Sequence, residues 1–217
     1  MLIHTQTEIA YSPAELFLSN VDQDWSELIA KVGSRPPIAA SAVEPYQALI
    51  HAIAHQQLHG RAAEAILGRF KAMYDKDFPS AEDILNTDSL RLRECGFSAT
   101  KITTIMGIAE KTIEGIVPHK ALAHMLSNEE LITRLTTLRG IGRWTVEIFM
   151  MHNLARPDIL PVDDFGVREG WKILKSLEVQ PKPKELAQIG QAWSPYRSTA
   201  AWYLWRAVDQ FKAQNKK

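Results

Sequence analysis

Two groups of residues in one stretch of this chain have types and spacing that could do chemistry. Gly140 and Gly142, within Leu138-Arg139-Gly140-Ile141-Gly142-Arg143-Trp144-Thr145, stand one residue apart just ahead of a helical run. Asp163 and Asp164 follow Pro161-Val162, where the next helix should begin. Glycines lack a Cβ, so the backbone can turn tightly and come close to a partner. The N–H groups at the helix start behind them form an anion site suited to a phosphate. An acidic residue held near a phosphate backbone is electrostatically unfavourable, so its presence points to chemistry rather than affinity. Together the two groups read as a catalytic carboxylate on a DNA-bound protein. Aspartate ahead of a helix is also a common N-cap, and two successive acids suggest one residue of each kind.

Helices must position these groups. Tyr46, Leu49, Ile50, Ile53, Ala54 and Gln57 share one face of a helix read over 43–57, and Ala62, Ala63, Ile66, Leu67, Phe70 and Met73 share another. Ile102, Ile105, Met106, Ala109 and Ile113 form a third stripe behind Ser98 as N-cap. Ser194-Pro195 reads as N-cap and first-turn proline of a last helix striped by Ala200, Ala201, Leu204, Trp205, Val208 and Phe211. Pro36-Pro37 and Pro181-Lys182-Pro183 break the chain between helices. No alternating strand is long enough to build a sheet. The expected fold is all-α with two lobes: residues 1–45 plus 160–217 from the two termini, and a central lobe over 46–159.

With 217 residues, 46% hydrophobic and 23% charged, the composition is that of a soluble globular protein. No apolar run approaches the roughly 18 residues of a membrane span, and no basic-then-apolar start marks a secretory signal. Cys95 is the single cysteine, which excludes a disulfide framework and any all-cysteine metal site. A cytoplasmic location is expected, or nuclear in a eukaryote. The 25 basic and 25 acidic residues give zero formal charge, unusual for a nucleic-acid binder. Phosphates would then be held by backbone amides and helix dipoles, with a shallow salt dependence.

The Leu-x-Gly-Ile-Gly-x-Trp-Thr string, with its proline and acidic pair, resembles the helix-hairpin-helix DNA glycosylase superfamily. It looks most like the DNA-3-methyladenine glycosylase II branch. The resemblance implies an active-site cleft between the lobes and a damaged base in double-stranded DNA as the target, worked on by a monomer. It puts the catalytic aspartate on Asp164, leaving Asp163 as the structural partner. It puts phosphate-binding amides at Gly140, Gly142 and Thr145, and a DNA wedge at Gln57, Leu58 and His59. It lines the base pocket with Trp144, Ile148, Phe165 and Trp205. No cofactor is required, although the resemblance implies a monovalent cation at hairpin carbonyls around Thr136 and Leu138. Members that also cut the strand carry a lysine where this chain has Trp144, so the enzyme is expected to be monofunctional. The iron–sulfur branch needs four cysteines and is excluded.

Electron-rich rings suit a cationic, N-alkylated purine, which is already a good leaving group. The expected function is therefore base excision repair of alkylated purines such as 3-methyladenine, with base flipping. A glycosylase for deaminated or etheno bases, or a non-catalytic helix-hairpin-helix DNA-binding module, fits the same motifs. His51, His55 and His59 recur every four residues, but no HExxH or adjacent carboxylate completes a zinc shell, so no metal site is expected.

Overall fold

The computed structural model describes residues 11–215 except Ile38 and His59. Among the described residues it contains thirteen α-helices and no strand. The chain divides into two compact units, Met1–Ala39 with Arg156–Lys217, and Ala40–Ala155. These boundaries fall four to six residues before the expected ones at 45/46 and 159/160. The Ser41 amide donates to the Asn153 carbonyl, fastening both ends of the central segment to the central unit. The Ile159 amide donates to Ser198 Oγ, drawing the next segment into the terminal unit.

The terminal unit opens with α1 (Pro13–Ser19) and α2 (Gln23–Val32). The central unit follows with α3 (Pro45–His55), α4 (Gly60–Ala72), α5 (Ala81–Leu85), α6 (Ser89–Glu94), α7 (Ala99–Ile113), α8 (Lys120–Met125), α9 (Asn128–Leu135) and α10 (Arg143–His152). The terminal unit is completed by α11 (Phe165–Leu174), α12 (Pro183–Ile189) and α13 (Arg197–Gln214).

In the central unit, the expected stripes bury Leu49, Ile50 and Ile53 of α3, Leu67 and Phe70 of α4, and Ile102, Ile105 and Ala109 of α7. Burial of each such side chain contributes about 1.5–3 kcal/mol. Ser98 caps α7 as its sequence suggests, accepting from the Lys101 amide. Ser127 and Glu130 form a capping box that starts α9. The α3 stripe ends earlier than read: Gln57 lies outside the helix at φ +57°. Ile113, at the end of α7, is exposed rather than buried.

The terminal unit is organised around Trp25, Trp171 and Trp193, whose ring centroids lie 5.1–6.4 Å apart. Helices α11 and α13 approach so closely that a Cβ on Gly170 would stand 2.1 Å from the Leu204 carbonyl oxygen. Ser194-Pro195 does not start α13. The Ser194 hydroxyl donates to Asp158, which also takes the Arg197 guanidinium at 2.7 and 2.8 Å, so the helix begins at Arg197. Ala200, Ala201, Leu204 and Val208 are buried as expected, Trp205 is half-buried, and Phe211 is exposed.

Buried Glu15 ties three segments together. It accepts from the Ser12 amide at 2.6 Å, the Tyr203 hydroxyl at 2.8 Å and Ser34 Oγ at 3.1 Å, and also from the Arg35 amide. Burial alone would raise its carboxyl, but the Arg35 and Ser12 amides and the Tyr203 hydroxyl hold it below the usual glutamate range. A lowered folded value means stability that is present above that range and lost as pH falls through it.

Two outcomes are expected. Gly170→Ala should separate α11 from α13, costing about 2–3 kcal/mol and lowering Tm by about 4–12 °C in thermal melts. Glu15→Gln should cost about 1.5–3 kcal/mol at pH 7, and its melting curve should converge on wild type only at pH values below the usual glutamate range.

Candidate functional site

In the terminal unit, Asp164 is the N-cap of α11. Its Oδ1 accepts from the Val167 amide at 2.8 Å and from the Trp205 indole N–H at 2.9 Å. Gly166 makes room for this meeting: a Cβ there would lie 2.9 Å from Trp205 Cδ1 and 3.1 Å from Asp164 Oδ1. Asp163 is exposed and makes no hydrogen bond to a described residue, so it is not the structural partner it was expected to be. The helix starts one residue later than that reading requires, which makes Asp164 itself the cap. Phe165 follows it with 68% of its surface exposed, an unusual position for a phenyl ring unless something else covers it.

In the central unit, the turn between α9 and α10 is pinned by buried Leu138 and Ile141, which leaves Gly140 and Gly142 at the surface. Gly140 has φ +82°, and a Cβ on it would stand 2.6 Å from Thr104 Oγ1 of α7, so glycine is required on both counts. Gly142 is the N-cap of α10 and, lacking a side chain, makes no side-chain bond to the first-turn amides. Arg143 bridges Glu129 at 2.9 Å and Glu147 at 3.0 Å, bracing the hairpin. The bond from Glu129, against a smaller cost of burial, holds the guanidinium even more firmly charged than usual. Arg139 is exposed in the turn and forms no ion pair among the described residues.

Beyond α3, Gln56 turns extended and Gln57 takes its left-handed conformation, which brings Leu58 to 40% exposure. Gln56 Nε2 donates to the Gly140 carbonyl at 3.4 Å, linking this turn to the hairpin. His59 lies outside the described residues. A hollow of about 440 Å³ is lined by Ala52, His55, Gln56, Gln57, Trp144, Thr145 and Ile148. Trp144 and Ile148 thus meet as their one-turn spacing implies, and Trp144 is 42% exposed. Phe165 and Trp205 belong to the terminal unit.

Sequence reasoning missed Ala52 and His55 as lining residues, because they lie near a helix end whose breaking point no glycine or proline marks. It also passed over Arg139, a cation inside the hairpin motif itself. A hollow of about 550 Å³ beside Leu126, Glu129, Glu130, Thr133, Arg134 and Thr137 has no aromatic wall and two carboxylates, which does not suit a nucleobase. His51 stacks on Phe78 and His55 reaches Glu64 at 2.9 Å, so these imidazoles do not converge on a common point.

Comparison with known proteins places the chain among its relatives. DNA-3-methyladenine glycosylase 1 of Schizosaccharomyces pombe is 45% identical over 195 residues, covering 89% of this chain and 86% of that one. The alkylbase DNA glycosidase-like protein mag2 of the same yeast is 35% identical over 198 residues, covering 90% and 93%. Among solved structures, the S. pombe 3-methyladenine DNA glycosylase in complex with abasic DNA matches with a TM-score of 0.82, covering 90% of this chain and 96% of that one. The Bacillus halodurans DNA-3-methyladenine glycosidase matches with a TM-score of 0.83 at 31% identity, covering 93% and 92%. Residues 50–195 match the model for the HhH-GPD superfamily base excision DNA repair protein, and the chain belongs to that family.

Proposed function

We propose that this protein is a monofunctional DNA glycosylase of base excision repair that releases alkylated purines such as 3-methyladenine from double-stranded DNA. The observation that carries the reading is the Asp164 carboxylate, held by an indole N–H and a backbone amide at the start of α11 beside exposed Phe165. Two further supports are the 45% identity to a 3-methyladenine glycosylase along most of both chains and Trp144 in place of a nucleophilic lysine.

The amides of Gly140, Gly142 and Thr145 hold a phosphate, with Arg139 as the nearby exposed cation. Gln57, Leu58 and His59 enter the stack as the base is extruded, which costs a few kcal/mol. Trp144, Ile148, Phe165 and Trp205 receive the base, the rings attracting its positive charge by ~0.5–2 kcal/mol each. The C1′–N bond breaks with its electron pair passing to the purine, which leaves neutral. Asp164 stabilises the oxocarbenium-like sugar and orients the water. Water oxygen bonds to C1′, its proton passes to the carboxylate or solvent, and the abasic strand stays intact.

A monovalent cation around Thr136 and Leu138 fits the donor set there, neutral carbonyl oxygens at the electronegative end of α9. It would lend positive charge beside the phosphate site, and the chemistry itself needs no cofactor. No helix among the described residues is long and apolar enough to cross a membrane. A DNA substrate supports work in the cytoplasm, or in the nucleus of a eukaryote, and a monomer suffices for it. The polar groups of His55, Gln56 and Gln57 in the hollow favour one second reading, hydrogen-bonded recognition of a deaminated or etheno base. Competition between lesion-bearing oligonucleotides separates the two.

Asp164→Asn should slow base release from N-methylpurine duplex by about 100-fold or more while binding of an abasic analogue changes little. Equal release by both proteins would remove Asp164 from the mechanism, and release by neither, with DNA binding intact, would favour a binding module. The slope of log K against log[NaCl] in anisotropy titrations should be shallower than about −4, and Arg139→Ala should reduce its magnitude by about 1.

A further inference from the structure

Lys101 occupies the first turn of α7, half-buried. Its Nζ donates to the carbonyls of Ala54 and Gln56, at 2.8 Å each. These carbonyls belong to the end of α3 and to the extended residue beyond it, where a helix terminus leaves acceptors without intrahelical donors. At a surface, water usually serves such groups. An ammonium does so here, and no carboxylate pairs with it among the described residues. Burial pulls Lys101 below the usual lysine range, so the bonds it makes offset a real cost of desolvation.

The segment it grips is strained. Gln57 is a non-glycine residue at φ +57°, a conformation that persists only where its surroundings impose it. Lys101 fixes the residue before it from one side, and the Gln56 amide bond to the Gly140 carbonyl fixes it from another. Thr104, one turn further along the same face of α7, is the side chain against which Gly140 is seated. One helix face therefore sets the positions of both the hairpin and the turn that carries Leu58.

We propose that Lys101 is a positioning residue that holds the Gln56–Leu58 turn in the shape needed to enter the DNA stack. This rests on the reading of Gln57 and Leu58 as the wedge. Lysine is used as a bridge between two carbonyls, not as a phosphate contact or a nucleophile. Its loss relaxes Gln57 towards ordinary backbone angles and withdraws Leu58.

The test is a duplex carrying a tetrahydrofuran abasic analogue with 2-aminopurine opposite it, whose fluorescence rises when the stack is opened. Wild type, Lys101→Met and Lys101→Arg are compared at saturating protein, with Kd from anisotropy and folding from thermal melts. Lys101→Met is expected to bind within about threefold of wild type yet show a fluorescence rise at least fivefold smaller, with Lys101→Arg recovering at least half of it. A full rise at saturation in Lys101→Met, whether or not its Kd is weakened, would overturn the proposal. So would the absence of any rise with wild type. Excision of 7-methylguanine, measured in parallel, reports separately on the glycosylase reading: wild type that opens the stack but releases no base would sink that reading and leave the role of Lys101 standing.

Discussion

The backbone of α11 meets the backbone of α13 at Gly170, with no room for a methyl group between Gly170 and Leu204. That contact sets the spacing of the two helices, and the site in the terminal unit follows from it. Gly166, one turn earlier on the same face, leaves the space into which Trp205 fits. Trp205 follows Leu204 in sequence, so the contact that seats Leu204 also brings the indole N–H to Asp164. At the other end of the connecting segment, Asp158 is clamped to the start of α13 by Arg197 and Ser194. The orientation of the carboxylate is thus inherited from helix packing rather than left to a loop, and packed elements hold a reacting group more closely than loops do.

The central unit uses the same device with different chemistry. A glycine, Gly140, again permits close approach, this time to Thr104, and the approach again places a functional segment against a neighbouring helix. Lys101 does for the turn after α3 what the indole does for Asp164, supplying a donor where a helix end or cap has an oxygen to satisfy. In both units the polar groups proposed to face a ligand are braced by donors from an adjacent helix, so the cost of ordering them is met on folding and not on binding.

What was legible in the sequence had a local cause. Helical stripes, the Ser98 cap and the GxG turn all report forces acting within a few residues, and they appear where their patterns put them. The misreadings came from long-range contacts. Ser194-Pro195 has the look of a helix start, yet Asp158, distant in sequence, takes the serine hydroxyl. The stripe of α3 runs on to Gln57 in sequence, whereas Lys101 and Gly140 hold that segment out of the helix. The division of labour in the acidic pair turned on a one-residue shift of the helix start. The meeting of Asp164 with Trp205 left no trace in spacing, because it depends on two glycines being close to another helix.

The even balance of charge takes on meaning once the ion pairs are placed. Arg143, Arg197, Lys175 and Lys111 are each held by carboxylates of the protein, and Lys101 by carbonyls. These cations build the scaffold and contribute little to an external phosphate. On the proposed reading, attraction to DNA then falls to amides and helix starts, whose fields are short-ranged and directional. Such a surface gains less from non-specific sliding contact than a lysine-rich one. It also reduces a conflict that a carboxylate enzyme faces. A field of free lysines around Asp164 would bind DNA strongly, but it would also neutralise the charge on which the proposed stabilisation of an oxocarbenium-like sugar depends. Capping α11 with that same carboxylate instead orients it by two donors on one oxygen, an indole N–H and a backbone amide.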